Sequence, residues 1–103
     1  MIGVDCIKIL KYIDCLDRHI QNILICNPFY LYRSIDDVVK LIKKLLEIGM
    51  TNINLLFDSN PFLLNKDAYE IDDYINKKIN NGKTLEDIVD EIDSNPYIID
   101  EIE

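Results

Sequence analysis

Few side chains in this sequence could do chemistry. Cysteines stand at Cys6, Cys15 and Cys26, and the only histidine is His19. A structural zinc site normally takes four thiolate or imidazole ligands at tight spacings. Here the cysteine count is odd and no pair has the C-x-x-C spacing. All three cysteines fall in stretches of helical apolar period, where a free thiol behaves as a small hydrophobe. They are read as buried, reduced thiols, which suits a reducing, cytoplasmic compartment. Carboxylate pairs occur at Asp36-Asp37 and Asp72-Asp73. Acid–base or metal chemistry needs carboxylates that converge, whereas adjacent residues on a helix point apart. Both pairs are expected in first helical turns, where the helix dipole favours acids. One histidine and no serine motif make no triad, and three isolated glycines make no phosphate loop. The chain is therefore read as a non-enzyme that needs no metal and no cofactor.

Two charged clusters remain as candidates for binding. The acidic one is Glu86, Asp87, Asp90, Glu91 and Asp93. On a helix begun at Thr84, Glu86, Asp90 and Asp93 share one face, and Asp87 with Glu91 forms a parallel row. Like charges at these spacings destabilise an isolated helix, and a Lys- or Arg-rich partner would relieve them. The basic cluster is Arg33, Lys40, Lys43 and Lys44, the best candidates for phosphate contact. Its neighbours Asp36 and Asp37 offset about half of its charge.

The elements that position these residues are read from an internal repeat. Asn27-Pro28-Phe29 recurs as Asn60-Pro61-Phe62 and as Asn95-Pro96-Tyr97. Ile35-Asp36-Asp37 recurs as Ile71-Asp72-Asp73 and serves as a second anchor. A period near 33–35 residues marks stacked supersecondary units, approximately 1–31, 32–64 and 65–99, that bury their apolar faces on one another. Each unit reads as two helices. In the middle copy Ile35, Val38, Val39, Ile42, Leu45 and Leu46 recur at helical spacing, with Ser34 placed as cap and Gly49 as stop. A second helix over about 51–59 follows. The third copy starts at an Asp67/Glu70 cap, continues through Ile71, Tyr74, Ile75, Lys78 and Ile79, and stops at Gly82. Thr84 caps its second helix, with Leu85, Ile88, Val89 and Ile92 as the apolar positions. The first copy gives helices over about 4–14 and 17–26. Each Asn-Pro ends a helix, because the residue before proline avoids the α region. The asparagine is expected to cap the next turn, with the following aromatic and aliphatic residues folding back inward. Ile42, Leu46, Phe62 and Leu63 are expected to be buried together. The predicted class is all-α: about three stacked helical-hairpin repeats forming one domain over residues 1–103, as a short α-solenoid or compact bundle.

The segment Leu45-Leu46-Glu47-Ile48-Gly49-Met50-Thr51, continued through Asn60-Pro61-Phe62-Leu63-Leu64, resembles the repeat of the mitochondrial transcription termination factors. That resemblance implies a helical solenoid with a basic concave groove for nucleic acid. The charge runs the other way. The chain carries −8 overall; residues 1–57 net +1 and residues 58–103 net −9. Such a balance opposes the counterion-release term behind non-specific nucleic-acid affinity. No apolar run reaches the roughly 18 residues that a membrane span needs, and the first residues lack a signal-peptide pattern. In size and charge the chain is similar to phage-encoded acidic inhibitors, anti-CRISPR proteins among them. The expectation is a protein-binding module whose acidic C-terminal half docks on a basic surface, such as that of a nucleic-acid-binding protein. The alternative is a nucleic-acid-binding repeat protein. Self-association is a third option, because three repeats leave two end faces to cover.

Overall fold

The computed structural model describes residues 4–101. Met1–Gly3 of the first repeat and the last acid, Glu103, lie outside the described residues. Six α-helices alternate with three short 3-10 segments: α1 (Val4–Tyr12), α2 (Asp17–Cys26), α3 (Ile35–Glu47), α4 (Ile53–Ser59), α5 (Ala68–Asn80) and α6 (Leu85–Ser94). The 3-10 segments are Pro28–Tyr32, Pro61–Asn65 and Ile98–Glu101. No strand occurs among the described residues. The class is all-α and the hairpins stack in order: α1 packs on α3 and α3 on α5, while α2 packs on α4.

The turn inside each hairpin is built identically. Asp14, Gly49 and Gly82 take left-handed backbone at φ 70°, 104° and 91°. After them Cys15, Met50 and Lys83 donate N–H to the carbonyls of Leu10, Leu45 and Lys78. These are Schellman closures, which satisfy the carbonyls that the helix end leaves orphaned. They fix the equivalence Leu10–Leu45–Lys78 and correct one sequence alignment. In the third hairpin Ile71 stands where the second has Val38, not Ile35, so Asp72 and Asp73 lie inside α5 rather than in its first turn. The Ile-Asp-Asp match is a coincidence of composition. The Asp67/Glu70 and Thr84/Asp87 capping boxes form as expected. Ser34 occupies the cap position of α3 without a side-chain cap bond.

The core stripe of α3 is Val38, Leu41, Ile42 and Leu45. Leu41 belongs to it and Leu46 does not; Leu46 is 54% exposed. Leu46 instead lies on the rim of the groove between α1 and α3. Phe62 is 48% exposed, while Leu63 and Leu64 are fully buried. At three residues per 3-10 turn successive side chains point about 120° apart, so these two leucines face the core and the aromatic faces out. Phe29 and Tyr97 repeat this outward position. Leu85, expected on the core, is also exposed.

Asn27 and Asn60 do something other than capping. Asn27, Asn60 and Asn95 share one backbone conformation, with φ between −134° and −145° and ψ between 70° and 87°. Asn27 and Asn60 make no side-chain cap bond. Instead the Asn27 amide donates to the carbonyl of Pro61 at 3.1 Å and to Asn65 Oδ1 at 3.0 Å. The Asn60 amide donates to the carbonyl of Pro96 at 3.0 Å. Each asparagine thus reaches the proline of the next hairpin. Asn95 is exposed, and its Oδ1 accepts from the N–H of Tyr97. Replacing Asn27 by Ala removes both donated bonds and the acceptor for Asn65 Nδ2, and leaves the Pro61 carbonyl without this donor. The expected loss is about 1–3 kcal/mol, against less than about 0.5 kcal/mol for Asn95→Ala. Urea denaturation of the two variants checks the difference.

Candidate functional site

The acidic helix α6 is held by Ile88 and Ile92, both fully buried, and by its capping box at Thr84. Its carboxylates divide into two sets. Asp87 closes the capping box, donating its N–H to Thr84 Oγ1 at 3.1 Å while its Oδ2 accepts the N–H of Thr84 at 3.3 Å. Glu91 is only partly exposed and lies 3.5 Å from Lys78 Nζ and 3.2 Å from Lys83 Nζ. Hydrogen bonding to Lys83 holds its carboxyl below the usual carboxylate range. Asp87 and Glu91, proposed from the sequence as binding residues, therefore serve the fold. Glu86, Asp90 and Asp93 are exposed and have no ion pair or side-chain hydrogen bond among the described residues. They follow at spacings of four and three and line one face of the helix. Asp93 also lines a shallow depression of about 250 Å³ with Asn52, Leu55, Leu56, Ser59 and Pro96, in which Leu55 is half-exposed.

The basic cluster is dispersed by the fold. Arg33 donates to the carbonyls of Leu64 and Lys66 at 3.0 and 2.8 Å and pairs with Asp67 at 3.0 Å. It clamps the second hairpin to the third with all three of its nitrogens engaged. Lys44 bridges Asp72 at 3.0 Å and Glu47 at 3.3 Å, and the hydrogen bond to Asp72 raises its pKa. Only Lys40 and Lys43 remain exposed. Lys43 borders an apolar groove between α1 and α3 lined by Ile9, Tyr12, Ile13, Val39, Ile42 and Leu46. The four residues proposed for phosphate do not form one site.

Sequence reasoning missed one substitution pattern in this region. The residue whose carbonyl receives the N–H of the hairpin asparagine is Ile23, Leu56 and Glu91 in turn. With the Leu10–Leu45–Lys78 equivalence, an apolar pair in hairpins one and two becomes the Lys78–Glu91 ion pair in hairpin three. The signal was present: Lys78 interrupts the apolar series of α5. It was readable only once the repeat frame was known.

The histidine and thiols are structural. His19 is buried, and its Nδ1 accepts the N–H of Leu16 at 3.0 Å at the start of α2. Cys6 and Cys15 are buried, whereas Cys26 is exposed, which corrects the reading of all three as buried. No group of three potential ligands for a metal comes together among the described residues, and no helix there is long and apolar enough to cross a membrane. No family model, curated protein or solved structure matches this chain. Burial, followed by the charges of Asp58 and Asp14, pushes the Cys15 thiol up to about 11, and burial chiefly raises Cys6. Reactivity follows the thiolate. Iodoacetamide at pH 8 is therefore expected to label Cys26 first, with Cys6 and Cys15 reacting only on unfolding; peptide mass mapping over time checks the order.

Proposed function

We propose that the protein is a non-enzymatic binding module whose α6 surface docks on a basic protein, in the manner of an acidic phage-type inhibitor that occupies a nucleic-acid-binding surface. The observation that carries this reading is the row Glu86, Asp90 and Asp93, which has no ion pair or side-chain hydrogen bond among the described residues and stands beside a depression holding half-exposed Leu55. A Lys- or Arg-rich element with one apolar anchor fits that combination. The carboxylates would steer and orient it, and the depression would take the apolar side chain.

Capture from the cell that encodes the protein identifies the candidate partner, and kinetics then test the surface. The double change Glu86→Lys with Asp90→Lys is expected to slow association about tenfold or more at low salt and to flatten its salt dependence. Helical content should be unchanged, since both residues are exposed. Unchanged rate and salt slope would mean that the row only solubilises the chain.

The reading as a nucleic-acid-binding repeat, implied by the likeness to transcription termination factors, has less to draw on. Arg33 and Lys44 are engaged within the fold, and Lys40 and Lys43 are too few for a phosphate track. Titration with fluorescent duplex DNA or RNA at about 150 mM salt is expected to show no appreciable binding. Submicromolar affinity would favour the nucleic-acid reading over the acidic one.

A further inference from the structure

The two ends of the stack are built differently. At the C-terminal end the apolar pair of the inner hairpins is replaced by Lys78 and Glu91, with Lys83 beside them. A repeat array needs such a polar outer face where no neighbour follows. Among the described residues the N-terminal end has no counterpart. The contacts between hairpins one and two show which positions reach back to a preceding hairpin. Asp58, two residues before Asn60, accepts from Asn22 of the first hairpin through its carbonyl and Oδ1, at 2.9 and 3.0 Å. Asn65, five after Asn60, bonds Asn27. The same positions in the first hairpin are Ile25 and Tyr32, 80% and 72% exposed. Leu24 and Leu31, equivalent to the fully buried Phe57 and Leu64, are only partly buried there. The surface that would meet a preceding hairpin is thus apolar and open.

Charge selects the occupant. Over residues 1–31 three acids (Asp5, Asp14, Asp17) balance three bases (Lys8, Lys11, Arg18), while the net −9 lies beyond residue 57. Two copies meeting through their first hairpins bring neutral surfaces together. Their acidic third hairpins are then separated by both first and both second hairpins, at about 8–10 Å per packed helix. That is well beyond the Debye length of about 8 Å at physiological salt. A head-to-tail contact would press the apolar end onto the ion-paired cap instead, and would desolvate it. We infer that the protein forms a two-fold symmetric dimer in which the face carrying Leu24, Ile25, Leu31 and Tyr32 packs on the same face of a second copy. A two-fold interface is self-complementary and closes at two copies.

Sedimentation equilibrium of the full chain at about 150 mM salt tests this. The weight-average mass is expected to rise with concentration from 12.1 kDa to twice that value and to stop there. Ile25→Glu with Tyr32→Glu should weaken the dimer at least 100-fold while circular dichroism stays that of the parent, and Ile25→Lys alone should weaken it at least tenfold. Asp90→Lys, at the other end, should leave the dimer unchanged. A monomer up to about 1 mM would overturn the inference. So would a dimer indifferent to Ile25 and Tyr32, or a mass that grows past twofold and responds to Asp90, the mark of head-to-tail stacking.

Discussion

The bond from a buried asparagine to the proline carbonyl of the next hairpin is the contact on which the stack depends. It follows from a backbone constraint. The residue before proline is excluded from the α region, so α2 and α4 stop at the asparagine, which leaves the helix with the same φ and ψ each time. Its N–H still closes the helix behind it, at 2.8 Å for Asn27 and 2.9 Å for Asn60. Its side chain makes no cap bond and crosses to the neighbour. A buried amide without a partner is costly, so the bond forms in one register and fixes how far each hairpin advances. Apolar packing supplies most of the stabilisation, but packing alone is tolerant of small slips in a way that a buried donor is not.

Arg33 adds a second fastening between hairpins two and three, and Lys44–Asp72 a third. Both are cationic side chains from the basic half of the sequence held by groups of the acidic half. The charge asymmetry is thus partly internal: some of the bases that seemed available for a ligand are the means by which the stack holds itself. On α6 the carboxylates left outside are Glu86, Asp90 and Asp93, and this bias gives the reading of a module for basic partners its physical basis.

The first and third hairpins treat the repeating core differently. At one end charge replaces hydrocarbon at equivalent positions, with Lys78 and Glu91 standing where Leu45 and Leu56 stand one hairpin earlier. At the other end the hydrocarbon stays. The two proposed surfaces lie toward opposite ends of the stack: the carboxylate row of α6 with the depression it shares with α4, and the apolar face of the first hairpin.

The sequence by itself determined the helical class, the number of hairpins and the helix stops at Gly49, at Gly82 and at the Asn-Pro pairs. Those features depend on local spacing, on glycine at left-handed turns and on proline, and local chemistry survives any tertiary arrangement. It also exposed the acidic and basic clusters as clusters. The tertiary structure decided the fates of individual members: Arg33, Lys44, Asp87 and Glu91 were taken into the fold, and Glu86, Asp90 and Asp93 were left outside. It also decided the role of the asparagines. Capping is the common local use of this residue before a helical turn, and only the presence of a neighbouring hairpin gave the side chain a better partner. Helix phase was likewise beyond the sequence. Leu41 and Leu46 are equally apolar, and which of them is buried depends on the direction from which the second layer and the flanking helices approach α3.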